Sequence, residues 1–195
     1  MGLFDILRGQ RRPKRADLDR LFALSTSAMT IELGLGMTST GGAGLCFKAL
    51  DAGAFDELVD DIDQLLRISA EQTGTRVDRH TDEYGFSWVI LRDPELDDLV
   101  TTTHVVSQTM QERGWSEQLL CAVFGFERDG RPVDLIYSYK RGTFYPFAPS
   151  GDKKRDNGLE MRVKAGLERE MPFEPELERW FALWDAPVHG DRRGG

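Results

Sequence analysis

The sequence predicts a single α+β domain whose largely antiparallel sheet has about six strands, built from three hairpins, with helices packed on it. Strand-like runs occur in pairs joined by turn residues, and runs with helical periodicity separate the pairs. A chain of 195 residues with 40% hydrophobic content is sufficient for one such domain and its core. This order of elements is typical of chaperone-like layered α+β folds. We expect a basic amphipathic N-terminal segment over 1–15, the domain over 16–187 and a disordered tail over 188–195.

The first third of the chain contains the first predicted hairpin. A capped helix is expected to start near Asp17, and Ala28–Leu33 reads as a strand. Gly34–Gly44 holds five glycines, which suggests a phosphate-binding loop at first sight. Gly42 and Ala43 stand where such a loop needs Lys and Ser or Thr, so we interpret it as a flexible connection to strand Leu45–Phe47.

The remaining elements follow in a regular order. The period of the apolar residues predicts helices, and turn residues such as Asp129-Gly130 predict hairpins. The elements are a helix over Ala54–Leu66, strands Arg76–His80 and Gly85–Leu91, a helix from Pro94 to Gly114, strands Leu119–Glu127 and Val133–Lys140, and helices Gly158–Glu168 and Pro175–Trp184.

Composition and charge limit the classes of function. The formal net charge of −8 disfavours nucleic acid as a partner. No run approaches the length of a membrane-spanning helix or the apolar core of a signal peptide, which indicates a cytoplasmic protein. Cys46 and Cys121 each lie in an apolar run and are expected to be buried thiols in a reducing compartment.

The sequence offers little support for catalysis. Asp78, His80 and Asp82 alternate and would share one face of a strand, as metal ligands do, but a polar strand face explains them equally. No nucleophile elbow is present, and neither cysteine has a neighbouring histidine. We therefore predict no catalytic residue, no metal and no cofactor.

The most unusual stretch is Tyr137–Pro149, which combines five aromatic residues, two prolines and the pair Lys140-Arg141. The strand is expected to end at Gly142, and Pro146 and Pro149 favour an extended exit. Aromatic and arginine residues dominate protein interfaces, although core packing and binding of single-stranded nucleic acid are alternatives. The predicted partner-binding residues are Tyr139, Lys140, Arg141, Phe144, Tyr145 and Phe147.

The N-terminal segment is a candidate for membrane contact. Apolar residues that share a helical face precede a basic cluster, so the segment could lie on an anionic bilayer surface. The cost of ordering the helix offsets most of the gain, which predicts weak and reversible attachment. A disordered basic tail, or docking on the protein itself, would explain the same pattern. The predicted contact residues are Leu3, Phe4, Leu7, Arg8, Arg11 and Arg12.

Several stretches together resemble the PspAB family of PspA-associated proteins. They are the Tyr137–Pro149 run, Asp82–Trp88, Arg155–Asn157 and Arg179–Trp184. The resemblance implies an accessory protein of the phage-shock envelope-stress system, in which PspA assembles on damaged membrane. It implies binding to PspA or to another phage-shock component, either as an adaptor or as a chaperone-like regulator of PspA assembly. The resemblance carries over no catalytic or ligand residue; a metal- or nucleotide-dependent enzyme is a less favoured alternative.

Overall fold

The structure, a computed structural model, describes residues 17–49, 53–54, 56–58, 60–61, 64, 74–184 and 186–189. Six strands form one open sheet in the order β2-β3-β1-β4-β5-β6, and all neighbouring strands are antiparallel. The predicted α+β class with a six-stranded antiparallel sheet is therefore confirmed. The strands are β1 Thr38–Lys48, β2 Arg76–Thr81, β3 Phe86–Arg92, β4 Leu119–Arg128, β5 Arg131–Ser138 and β6 Thr143–Phe147.

Side chains alternate between the two faces of the sheet, so each face builds its own core. On β1, Leu45 and Phe47 belong to the larger core, which the helices cover, whereas Cys46 belongs to the smaller core on the opposite face. The long helix Leu96–Glu112 packs on the larger core through Leu99 and Met110, both fully buried, in agreement with the predicted period. We call the opposite surface of the sheet the second face.

The first predicted hairpin is wrong. Thr30–Gly34, predicted as part of a strand, forms a turn of π-helix that continues the helical residues before it. The amide of Ile31 donates to the carbonyl of Ser27 at 2.9 Å, and Ile31 is buried in the larger core. The Thr–Ile pair gave a strand signal, but tertiary burial favours the helical turn. Most of the glycine-rich stretch, predicted as a loop, forms β1.

The sixth strand comes from the aromatic run instead. The chain turns at Gly142, whose φ is 68°, and Thr143–Phe147 pairs with β5. Pro146 is compatible with this position because an edge strand tolerates a residue that donates no amide hydrogen bond. On the outer side, Phe144 donates its amide to Pro172 at 2.7 Å, and its carbonyl accepts from Glu174 at 2.8 Å. The stretch after Gly142 is therefore extended, as expected, but it forms a strand of the sheet that the sequence did not predict.

Two helix predictions need correction. Asp17 provides no side-chain cap; its carboxylate pairs with Arg20 at 2.7 Å, and its carbonyl accepts from Tyr137 Oη. A single 3-10 turn, Leu177–Arg179, forms where a helix to Trp184 was predicted. Asn157–Leu167 is helical as expected, with Asp156 accepting from the Leu159 amide at 2.9 Å.

The predicted helix over Ala54–Leu66 lies only partly within the described residues. The described positions between 53 and 64 are helical, and Leu58 is fully buried in the larger core. Asp61 forms an ion pair with Arg113, at the end of the long helix. The ion pair therefore attaches this helix to the end of the long helix.

The second face is covered by what we call the C-terminal segment, residues 172–184 and 186–189. Trp180 and Val188 are buried in the smaller core. Val188 and His189 were assigned to a disordered tail, yet Val188 is fully buried and His189 Nε2 lies 2.6 Å from Asp134 Oδ1. These two residues therefore contact the sheet, beyond the expected domain end at 187. Among the described helices, none has both the length and the apolar character needed to cross a membrane.

Candidate functional site

An open cleft of about 1390 Å³ lies on the second face, where the C-terminal segment leaves part of the sheet uncovered. One wall is the turn between β2 and β3, and the other is formed by Phe181 and the residues after it. The ends of β1, β4 and β5 form the floor. The lining includes Cys46, Lys48, His80, Asp82, Glu83, Tyr84, Phe86, Trp88, Glu117, Leu120, Cys121, Ser138, Tyr139, Lys140, Tyr145, Phe181, Leu183 and Trp184.

The floor is a single row of residues that crosses the sheet. Register pairs link His80 to Trp88, Trp88 to Cys46, and Cys46 to Cys121. Cys121 in turn pairs with Ser138 on β5. Directly paired residues project on the same side of an antiparallel sheet, so the row presents an indole and two thiols at the base of the cleft.

The rim of the cleft exposes large aromatic side chains. Tyr84 is 68% exposed, Phe181 66% and Phe86 37%, and they stand on opposite walls of the same opening. Lys48 and Lys140 are exposed cations in the lining. Glu83 and Glu117 are exposed acids in the same lining, so the cleft joins an apolar interior to an aromatic edge of mixed charge.

Asp82 holds the wall formed by the β2–β3 turn. Its Oδ1 accepts from the amides of Tyr84 and Phe86 at 3.0 and 2.9 Å, and its Oδ2 accepts from Trp88 Nε1 at 3.0 Å. The carboxylate considered as a metal ligand therefore organises the turn and anchors the indole of the floor. Across the described residues, no group of three or more His, Cys, Asp or Glu side chains is placed to hold a metal ion.

The predicted partner-binding residues separate into three locations. Tyr139, Lys140 and Tyr145 are in the lining of the cleft, where Lys140 is exposed and Tyr145 is buried in the smaller core. The ring of Tyr139 lies in the larger core, and its hydroxyl forms a hydrogen bond with Ser107 on the long helix. Phe144 and Phe147 are fully buried, in the larger and the smaller core respectively. The run therefore presents no wide aromatic surface, because strand alternation directs its rings into the cores on both sides of the sheet.

Arg141 is engaged within the protein. Its Nε donates to Glu174 Oε2 at 2.9 Å, and Glu174 also accepts from Thr143 Oγ1 at 3.1 Å and the Glu176 amide at 3.2 Å. Burial raises the pKa of Glu174, but the Arg141 hydrogen bond and the other donors outweigh it and hold the net pKa below its usual value. Replacing Arg141 with an acid would set two carboxylates together, so Lys140 is the cleaner position for testing a basic contact.

Arg155 fixes the C-terminal wall of the cleft. Its Nε donates to buried Glu160 at 2.9 Å, and its Nη1 donates to the carbonyl of Trp180 at 2.6 Å. The guanidinium also lies 5.2 Å from the ring centre of Phe147, in cation–π contact. Trp180 in turn stacks on Tyr145 with centroids 6.4 Å apart. These contacts connect the helix Asn157–Leu167, strand β6 and the C-terminal wall of the cleft.

Glycines on β1 form the seat for Val188, the site where the other end of the C-terminal segment packs against the sheet. A Cβ at Gly42 would overlap the carbonyl of Val188 and the guanidinium of Arg92, which donates to that carbonyl. A Cβ at Gly44 would lie 3.1 Å from Val188 Cγ1. Sequence reasoning missed this role because the approaching residue is distant in the chain. The glycine content of a strand was the available signal, since it marks close approach of another backbone.

The predicted membrane-contact residues Leu3, Phe4, Leu7, Arg8, Arg11 and Arg12 lie outside the described residues. Their role stays a prediction. The described chain starts at Asp17, beside Tyr137 on β5.

Fold and cleft together define a single-sheet α+β domain with one face covered by helices and a wide, largely apolar cleft on the other. The chain belongs to the PspAB family: the family model described as PspA associated protein B matches residues 1–188. The name indicates association with PspA and an accessory role in the phage-shock envelope-stress response. Comparison with curated proteins gave no match, and neither did comparison with solved structures.

Proposed function

We propose that the protein is a non-enzymatic adaptor of the PspA membrane-stress response and that its cleft binds an apolar segment of PspA. The association stated in the family name supports PspA as the partner. The observation that carries the proposal is the rim, where Tyr84 and Phe181 line the same cleft and remain 68% and 66% exposed. Large aromatic residues at an apolar opening favour a protein partner because such residues dominate binding energy at interfaces.

The size of the cleft supports a polypeptide occupant. Small-molecule pockets usually measure about 300–1,000 Å³, and this cleft measures about 1390 Å³. The floor offers indole and thiol groups, which make weak or few hydrogen bonds and suit apolar side chains. Lys48 and Lys140 at the edge would contact an acidic residue beside the bound segment. Lys140 thereby keeps the role predicted for it, and of the predicted aromatic residues Tyr145 contributes its buried ring to the base of the cleft.

Replacing both Tyr84 and Phe181 with alanine is expected to weaken binding of PspA at least about thirtyfold, because two interface aromatics contribute about 1 kcal/mol or more each. Both side chains are mostly exposed, so the fold should be retained. Calorimetric titration of the full chain with purified PspA measures the change.

Leu33→Ala is the matched control, since Leu33 is 78% exposed and lies outside the cleft. It should bind PspA like the wild type. Unchanged affinity of the double variant would remove the cleft from the proposal. A wild-type chain that binds a different phage-shock component, and not PspA, would reassign the partner.

A chaperone-like regulator could use the same cleft, by holding PspA subunits away from assembly. It differs from an adaptor in its effect on PspA polymers. A dose-dependent delay of polymer formation in light scattering would favour the regulator, and its absence at molar excess would leave the adaptor.

The N-terminal segment extends the proposal to the membrane. Apolar residues Leu3, Phe4 and Leu7 precede Arg8, Arg11 and Arg12, which suits peripheral attachment to the anionic inner leaflet from the cytoplasm. The net charge of −8 argues against nucleic acid as a partner. We propose no cofactor.

Deleting residues 1–15 is expected to abolish co-sedimentation with anionic vesicles and to leave PspA binding intact. The full chain should pellet with anionic vesicles and not with neutral ones, because the cations supply about 1 kcal/mol each only on a negative surface. A Leu3→Ser, Phe4→Ser variant separates apolar from electrostatic attachment. Equal pelleting of the truncated and full chains would contradict membrane contact by this segment.

A further inference from the structure

We propose that Cys46 and Cys121 form a redox modification site at the floor of the cleft, where a small hydroperoxide converts the two thiols into a reversible cross-strand disulfide. The proposal does not depend on PspA being the partner. Both cysteines are free thiols in the structure.

The strand register supplies the geometry. Cys46 and Cys121 are direct partners across β1 and β4, and both belong to the smaller core. Directly opposed residues of antiparallel strands have Cα atoms about 4.5–5.5 Å apart. A disulfide requires a Cα separation of about 4.4–6.8 Å. The bond can therefore form through side-chain rotation, without movement of either strand.

The cleft gives the thiols a route to solvent. Both residues line it, and Cys121 is the more exposed of the two, at 9% against 3% for Cys46. A molecule the size of a hydroperoxide can enter a cleft of about 1390 Å³. Trp88 is the direct strand partner of Cys46 on β3, so an indole borders the two thiols in the floor of the cleft.

The two thiols have different roles in the reaction. The hydrogen bond with Cys121, followed by burial, raises the pKa of Cys46. The order of attack follows from exposure: Cys121, the more exposed thiol, is the attacking group, and Cys46 is the resolving thiol.

The chemistry balances in two steps. Cys121 Sγ, as its thiolate, attacks one peroxide oxygen; the O–O bond breaks, an S–O bond forms, and the departing hydroxide takes a proton to leave as water. Cys46 Sγ then attacks the sulfur of this sulfenic acid; an S–S bond forms, the S–O bond breaks, and the second water carries the proton of Cys46. Two thiols are oxidised by two electrons while one peroxide is reduced to two waters. With an alkyl hydroperoxide, an alcohol replaces the first water.

The disulfide would change the floor of the cleft by removing both S–H groups and joining the two strands at the centre of the sheet. It would also report occupancy, since a segment bound in the cleft covers both sulfurs. That second property rests on the proposed function, whereas formation of the disulfide does not.

The test is hydrogen peroxide treatment of the folded, full-length protein, followed by alkylation, digestion and mass spectrometry of the cysteine peptides. The expected product is a linked peptide pair containing Cys46 and Cys121, lighter by two hydrogens and restored to two alkylatable thiols by dithiothreitol. In Cys46→Ser the reaction should stop at a sulfenic acid on Cys121, which dimedone captures. In Cys121→Ser, Cys46 should remain a thiol at the peroxide dose that fully links the wild type.

Circular dichroism verifies that both serine variants fold, and the wild-type result does not depend on them. Two unmodified thiols after treatment, separate oxygenated cysteines, or disulfides only between molecules would each overturn the proposal. Dimedone capture at Cys46 in Cys121→Ser would overturn the assigned order of attack.

Discussion

Glu160→Ala is expected to destabilise the domain by about 3–5 kcal/mol, the usual cost of removing one partner from a buried ion pair. The side chain of Glu160 is 2% exposed, and its Oε1 accepts from Arg155 Nε and from the Ala148 amide, both at 2.9 Å. Alanine leaves a largely buried guanidinium and a buried amide without this acceptor. The loss is large because native domains have only about 5–15 kcal/mol of stability.

Urea unfolding followed by circular dichroism measures this change. The matched control is Glu168→Ala, at the C-cap of the same helix, because the Lys164–Glu168 pair has side chains 30% and 47% exposed at a distance of 2.9 Å. Exposed pairs contribute less than about 1 kcal/mol, so the control should stay near wild-type stability. Similar urea midpoints for Glu160→Ala and Glu168→Ala would show that the buried Arg155–Glu160 pair does not contribute to stability as expected.

The Glu160→Ala substitution should also affect the C-terminal wall of the cleft. Arg155 also donates to the carbonyl of Trp180 at 2.6 Å, so an unpaired guanidinium no longer fixes the adjoining wall. We expect weaker PspA binding by Glu160→Ala even at temperatures where the variant is fully folded. Arg155 thereby acts as a positioning residue, although it does not line the cleft.

Gly42→Ala is the second prediction, with an expected loss of about 3 kcal/mol or more, at the upper end of overpacking effects. The added methyl group would overlap the Val188 carbonyl and the Arg92 guanidinium. Arg92 also donates to Pro187 at 2.7 Å, so the methyl disrupts both attachments of this end of the C-terminal segment. Urea unfolding measures the stability, and tryptophan fluorescence reports displacement around Trp180 and Trp184.

Gly34→Ala is the control for this substitution. The nearest atom to a Cβ there is Thr30 Cγ2 at 3.5 Å, which is ordinary contact. Alanine at this helical position should leave stability unchanged or raise it by up to about 1 kcal/mol. If Gly42→Ala were equally neutral, the seat for Val188 would not be as close as the structure has it.

Local patterns were sufficient for most of the fold. The period-3.6 pattern around Leu99 and Met110 predicts the long helix, and Asp129-Gly130 predicts the β4–β5 turn, where both residues have positive φ. The strand predicted at Thr30–Gly34 was wrong because it was assigned from β-branched propensity. Burial of Ile31 against the helical layer determines the conformation instead. The strand Thr143–Phe147 was not predicted because its two neighbours, β5 and residues 172–174, cannot be identified from the local sequence.

The site was less predictable than the fold. Tyr139, Lys140 and Tyr145 were singled out from the aromatic run and do line the cleft, but Tyr84 and Phe181 on the rim were not. Their sequence neighbourhoods contain no chemical motif, and only the sheet brings them to one opening. The paired cysteines illustrate the same limit, because positions 46 and 121 become partners through strand register alone.

The seat for Val188 also has a consequence for synthesis of the chain. Arg92 and the glycines of β1 emerge from the ribosome long before the residue that covers them; Arg92 precedes Val188 by 96 positions. Contacts so distant in sequence slow folding, because the intervening chain must be ordered first. The part of the second face around Gly42 and Arg92 therefore stays uncovered on the nascent chain until the residues around Val188 have been synthesised. A chaperone that holds nascent chains would meet this protein with part of its second face still uncovered.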